Sequence, residues 1–122
     1  MFEQKLLDKS PEVFFFINPY YTLYMSDSVK YPSLGYYYHY KHDPKGKINN
    51  YAYEVIGTGM NTETREYSVI YRPLYKNTFL NDANYCVRPL EMFMGTVLKE
   101  GVEVKRFTKI TDEQIILQLI NM

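Results

Sequence analysis

Between residues 51 and 58 apolar and polar side chains alternate. Tyr51, Tyr53 and Val55 fall on one face, and Ala52, Glu54 and Ile56 on the other, the two-residue period of a strand. A return strand follows over 66–72, with Tyr67, Val69 and Tyr71 sharing a face, and the polar run Asn61-Thr62-Glu63-Thr64-Arg65 joins the two as a hairpin. Ahead of them, 36–41 reads as an aromatic strand that breaks at His42-Asp43-Pro44-Lys45-Gly46. Behind them, a polar loop over 76–84 leads to a short strand over 85–88. Pro73 and Pro89 close the strands they follow, because proline cannot donate to a ladder. Segments 92–98 and 102–110 flank Lys99-Glu100-Gly101 and read as a second hairpin. Short strands at this spacing predict a mainly β fold: a small SH3-like antiparallel barrel or a curved sheet.

Helices are expected at both ends. Over 2–18, Phe2, Leu6 and Leu7 share a helical face, Ser10-Pro11-Glu12 is a start signal, and Pro19 ends the run. The stretch 19–35 has no clear period and reads as a connection. Thr111-Asp112-Glu113-Gln114 has the form of a capping box, and Ile115, Ile116, Leu119 and Ile120 form the stripe behind it. One compact domain therefore comprises a helical and irregular extension over 1–35, a β domain over 36–110 and a C-terminal helix over 111–122.

Composition narrows the function classes. The chain has 122 residues, 14 basic and 14 acidic, so its net charge is zero. Nucleic-acid affinity is dominated by phosphate neutralisation, so this balance disfavours a nucleic-acid partner. Cys86 stands alone and cannot form an internal disulfide, which suits a reducing compartment. The longest fully apolar run, 13–17, is far too short to span a membrane. Glu3 and Asp8 among the first apolar residues do not suit a secretory signal, and a cytoplasmic protein without membrane attachment is expected. The 14 tyrosines could form a recognition surface. Abundant lysine over arginine points instead to AT-rich coding, so their number carries no functional weight.

The β segment resembles domain-of-unknown-function family 1653, a small β domain of bacterial and phage proteins. The matching residues are Tyr38-His39-Tyr40-Lys41, Tyr53-Glu54-Val55 with Gly57, and Thr62-Glu63-Thr64. They continue with Val69-Ile70-Tyr71-Arg72, Leu74-Tyr75, the block from Val87-Arg88-Pro89 through Leu90-Glu91-Met92-Phe93, and Arg106-Phe107. Two positions depart from the pattern: Cys86 stands where the family usually has an aromatic, and Asn61 where it usually has histidine. The resemblance implies no assigned reaction. Its phage members suggest a protein that sequesters a nucleotide-derived signal, an association of membership and not a reading of these residues.

Little in the sequence supports catalysis. His39 and His42 lack a third strong ligand nearby, so no metal is expected. Cys86 reads as a packed strand residue, no phosphate-binding glycine loop occurs, and no cofactor is implied. The best polar candidates are two arginines at strand ends, in Tyr71-Arg72-Pro73 and Val87-Arg88-Pro89. A guanidinium offers a fixed fork to phosphate or carboxylate, although either could instead brace strands, Arg72 with Glu54 or Arg88 with Glu91. The favoured reading is a non-enzymatic module for a small anionic, nucleotide-like molecule. Arg72, Arg88 and Lys41 would supply charge, Tyr38 and Tyr71 stacking, and His39 and Glu91 hydrogen bonds. The alternative is a protein- or single-strand-binding module using the tyrosine-rich face, and a third is a nucleotide hydrolase or lyase. A homo-oligomer is compatible with all three.

Overall fold

The computed structural model describes residues 30–77, 80 and 83–122. The helix expected over 2–18 lies outside them, as does the connecting stretch as far as residue 29. Residues Tyr31–Met122 cluster as one unit.

The fold is mainly β and antiparallel. Strands β1 (Gly35–His39), β2 (Ala52–Met60), β3 (Tyr67–Pro73), β4 (Cys86–Pro89) and β7 (Phe107–Lys109) form one sheet in the order β4-β3-β2-β1-β7. Strands β5 (Thr96–Lys99) and β6 (Val102–Lys105) form a separate ribbon. Two short helices, α1 (Leu90–Met94) and α2 (Glu113–Ile120), complete the described elements. The main sheet is open: β4 and β7 are its edges, and it does not close into a barrel.

Period-two alternation is used on both faces. Tyr37, Tyr53, Val55, Val69, Tyr71 and Phe107 project to one side, where Leu90 and Phe93 of α1 complete an aromatic core. Phe93 stacks on Phe107 with ring centroids 4.1 Å apart, and Tyr53 meets Tyr71 edge to face at 5.3 Å. On the other side Ala52 packs with Ile110 and Leu119 in a second cluster, flanked by Tyr36, Tyr38, Ile115 and Ile116. A residue such as Ala52, placed by alternation on the polar side, is thus fully buried. A bulge at Ile56 separates the pairs Val55 with Tyr71 and Gly57 with Ile70, and leaves Ile56 exposed.

Several expected boundaries move. The strand expected over 36–41 stops at His39. The strand expected over 92–98 begins as helix α1, because Pro89 fixes the backbone entering it and Glu91 sits favourably in its first turn. Leu90 and Phe93, three apart, both bury. Gly95 ends the helix, where a Cβ would lie 2.9 Å from the Glu91 carbonyl oxygen. The strand expected over 102–110 divides at Arg106. Its N–H donates to the Gly95 carbonyl at 3.0 Å, and its carbonyl accepts from Tyr40 N–H at 2.9 Å. The ribbon is closed by Glu100 and Gly101, both with positive φ, 52° and 80°, as a two-residue hairpin of the favoured twist requires.

At the C-terminus Asp112, not Thr111, caps α2. Its carboxylate accepts from the N–H groups of Gln114 at 2.9 Å and Ile115 at 3.3 Å. Leu119 buries and Ile115 and Ile116 bury in part. Ile120, expected in the packing stripe, remains 55% exposed.

Candidate functional site

The aromatic core ends in a cleft of about 400 Å³ whose lining includes His39, Lys41, Tyr51, Tyr75, Cys86 and Arg88. The strand registers explain why these meet. Tyr71 pairs with Cys86 and Val69 with Arg88, Tyr37 pairs with Tyr53, and His39 pairs with Phe107. Residues paired across an antiparallel ladder share a face, so Tyr53, Tyr71, Cys86, Arg88 and His39 all project toward the core side.

Arg88 is half-buried. Its Nε donates to the Tyr71 hydroxyl at 3.1 Å, and its guanidinium carbon lies 5.5 Å from the centre of the Phe107 ring. Among the described residues no carboxylate pairs with it, and neither Asp nor Glu lines the cleft. A partly desolvated cation is ordinarily paired, and among the described residues the terminal nitrogens of Arg88 have no partner of opposite charge.

His39 sits at the end of β1, among rings. Its centroid is 5.0 Å from that of Phe107 and 5.7 Å from that of Tyr51. Its Nδ1 accepts the backbone N–H of Lys41 at 3.2 Å. Burial, reinforced by the charges of Arg88, Lys41 and Arg106, lowers its pKa to about 4, so the ring is neutral near pH 7. With Nδ1 an acceptor, Nε2 carries the proton and is a donor.

Tyr51 has a φ of 53°, the left-handed region that a bulky side chain rarely adopts. Such strain gathers at binding and catalytic sites, and here it sets the tyrosine ring at the cleft wall beside His39. The hydroxyls of Tyr53 and Tyr75 are hydrogen-bonded to each other. Burial raises the pKa of Tyr53, as do Tyr75, Tyr71 and Cys86. Burial likewise raises that of Tyr71, against the opposing pull of Arg88. The Cys86 thiol is also raised by burial, with Arg88 acting the other way. A raised thiol is a poor nucleophile at neutral pH.

Of the candidates from the sequence, His39, Lys41, Tyr71 and Arg88 line this cleft, and the others lie elsewhere. Tyr38 faces the opposite side of β1, where its ring stacks on His42 at 3.5 Å and its hydroxyl donates to the Ile48 carbonyl at 2.5 Å. Arg72 likewise points away from the side that Tyr71 faces. Its Nε and Nη2 reach Glu54 Oε1 at 2.8 and 2.7 Å, the strand-bracing pair expected as the alternative. It borders a shallow cleft of about 620 Å³ beside α2 instead. Glu91 is exposed in the first turn of α1. Tyr51, Tyr53 and Cys86 were not among the candidates, although the shared face of Tyr51 and Tyr53 was legible. Their meeting with Arg88 depends on pairings between strands distant in sequence. Of the two departures from the family pattern, Cys86 lines the cleft, whereas Asn61 shapes the β2–β3 turn through bonds from the N–H groups of Glu63 and Thr64 at 3.0 and 3.2 Å. Among the described residues no group of three histidine, cysteine or acidic side chains is placed to hold a metal, and no helix is long and apolar enough to cross a membrane.

The comparisons with known proteins agree with this architecture. The model of a family of proteins of unknown function, DUF1653, matches residues 35–109. A crystal structure of a DUF1653 protein from Bordetella bronchiseptica is similar, with a TM-score of 0.52 and 27% identity, covering 70% of this chain and 91% of that one. No curated protein matches the chain.

Proposed function

This chain belongs to the DUF1653 family, and from the sheet at the centre of that match we propose that it is a non-enzymatic binding module for a small, nucleotide-like anion held in the Arg88 cleft. The observation that carries this reading is Arg88 itself, a half-buried guanidinium in an aromatic-walled cleft, with no carboxylate partner among the described residues. The cleft volume is at the small end of the range for ligand sites, suited to a mononucleotide. Tyr51 and Tyr75 offer ring faces, and Arg88, Lys41 and His39 offer donors. Binding is favoured over catalysis because among the described residues His39 has no carboxylate beside it in the cleft, and burial raises the Cys86 thiol.

Calorimetric titration of a nucleotide and cyclic-nucleotide panel tests the assignment. A charge-assisted hydrogen bond contributes about 1.5–3 kcal/mol, so Arg88→Lys should weaken binding roughly 10- to 100-fold. Arg72→Lys, on the other face, should leave affinity unchanged. Equal losses in both variants, or none in Arg88→Lys, would remove the cleft from consideration. A wild type that binds no nucleotide yet shifts a single-stranded oligonucleotide would favour the tyrosine-face alternative.

A further inference from the structure

Resting on this reading of the cleft, we propose that its mouth carries a second anion subsite, built by Arg106 and Lys99 beside Lys41, so that the favoured ligand is a nucleotide with two phosphate groups. The backbone over 39–41 brings these cations together. His39 and Lys41 line the cleft. Between them, Tyr40 gives its N–H to the Arg106 carbonyl at 2.9 Å and takes the Lys99 ammonium on its own carbonyl at 3.0 Å. Arg106 is held from a second direction as well. Its backbone N–H donates to the Gly95 carbonyl at 3.0 Å, and its Nε donates to the Met92 carbonyl at 3.0 Å. The turn after β1, the end of β5 and the crossover before β7 thus meet at one backbone residue beside the cleft wall.

Both rim cations keep donors for a ligand. Arg106 spends its Nε–H on Met92 and retains its terminal nitrogens, and Lys99 spends one of three N–H bonds on Tyr40. Lys99 pairs with Val102 and shares a ribbon face with the half-buried Val97 and Val104, which turns it toward the body of the unit. Glu103 pairs with Leu98 on the opposite ribbon face and takes the Thr96 hydroxyl at 2.7 Å. The rim and the cleft share one positive field. Arg88, Lys41 and Arg106 all act on the His39 ring, and cations grouped at a mouth draw an anion in. A cleft of about 400 Å³ takes one nucleoside phosphate. A second phosphate that leaves it past His39 meets Lys41, Lys99 and Arg106. That contact is intramolecular once the first is made, so it adds affinity without a second association step. The same bonds also brace the fold, so the diagnostic quantity is the ratio of affinities for ligands with two phosphates and with one.

The experiment is calorimetric titration of adenosine 5′-monophosphate, adenosine 5′-diphosphate and adenosine 3′,5′-bisphosphate near neutral pH. The proteins are wild type, Arg106→Gln, Lys99→Gln and the double variant, with thermal melts alongside. In wild type at least one of the two-phosphate ligands should bind about tenfold more tightly than the monophosphate, the low end for charge-assisted bonds because the rim is wetter than the cleft. Each single substitution should cut that ratio about threefold, and the double variant should abolish the gain. A substitution that only loosens the fold would weaken all three ligands alike and leave the ratio unchanged. Should Arg106→Gln fail to fold, Lys99→Gln, at an exposed position, carries the test. Monophosphate binding with no gain for either two-phosphate ligand, or a gain that the folded variants retain in full, would overturn the rim subsite and leave the cleft assignment standing. Failure of all three nucleotides to bind wild type would overturn the cleft assignment and the subsite together.

Discussion

At the scale of single residues, the cleft is built from side chains whose backbones or charges are held away from their ordinary states. Tyr51 is left-handed, with a φ of 53°, a conformation costing about 1–2 kcal/mol for a residue with a Cβ. Tyr51→Gly should therefore unfold at higher denaturant than Tyr51→Ala by about 1 kcal/mol. Both should lose ligand affinity if the ring forms part of the site. Equal stability of the two variants would show that the backbone at 51 is relaxed. His39 gives a pH signature. Its folded pKa of about 4 lies below the ordinary value of 6.5. The unfolded chain thus takes up a proton at this residue before the folded one does, and stability falls as acid is added. The decline should begin near pH 6.5 and level off near pH 4. His39→Gln should flatten that part of the curve in denaturant melts at successive pH values, and an unchanged slope would locate the effect elsewhere.

At the scale of elements, local chemistry and packing divide the work. Helix α2 starts where an acid accepts two free N–H groups, and the cap falls on Asp112, one residue after the threonine that the capping-box pattern singles out. Asp112→Ala should cost about 1 kcal/mol, and Thr111→Ala much less. Melting curves of the two variants would decide which residue is the cap. Helix α1 shows the opposite balance. Its five residues, Leu90–Met94, are too few to be stable alone. They hold because Leu90 and Phe93 insert into the aromatic core. A pattern of apolar residues this short reads equally well as strand or helix, so the distinction lay in the core and not in the segment.

At the scale of the whole unit, one sheet separates two interiors. Its aromatic side continues into the cleft, and its other side takes Ile110 and Leu119. Leu119 is 4% exposed, and truncating a buried leucine costs about 2–5 kcal/mol. Leu119→Ala should lower stability by that order while leaving nucleotide affinity in the surviving folded protein intact, because the cleft lies across the sheet. A parallel loss of affinity, measured by calorimetry below the melting transition, would show that the faces are coupled.

By itself the sequence determined the β character, the β2–β3 hairpin and the terminal helix, because side-chain period, turn chemistry and capping are local. It also indicated His39, Lys41, Tyr71 and Arg88, four residues that the cleft contains. The tertiary structure decided the rest. Adjacent residues in a strand face opposite ways, so Tyr38 and His39, or Tyr71 and Arg72, cannot serve the same cleft once the sheet has an inside on both faces. The pairing of β3 with β4 set Cys86 opposite Tyr71 and Arg88 opposite Val69. That of β1 with β7 set Phe107 opposite His39. Local preferences do not fix such long-range register, because it depends on which apolar faces can be buried together.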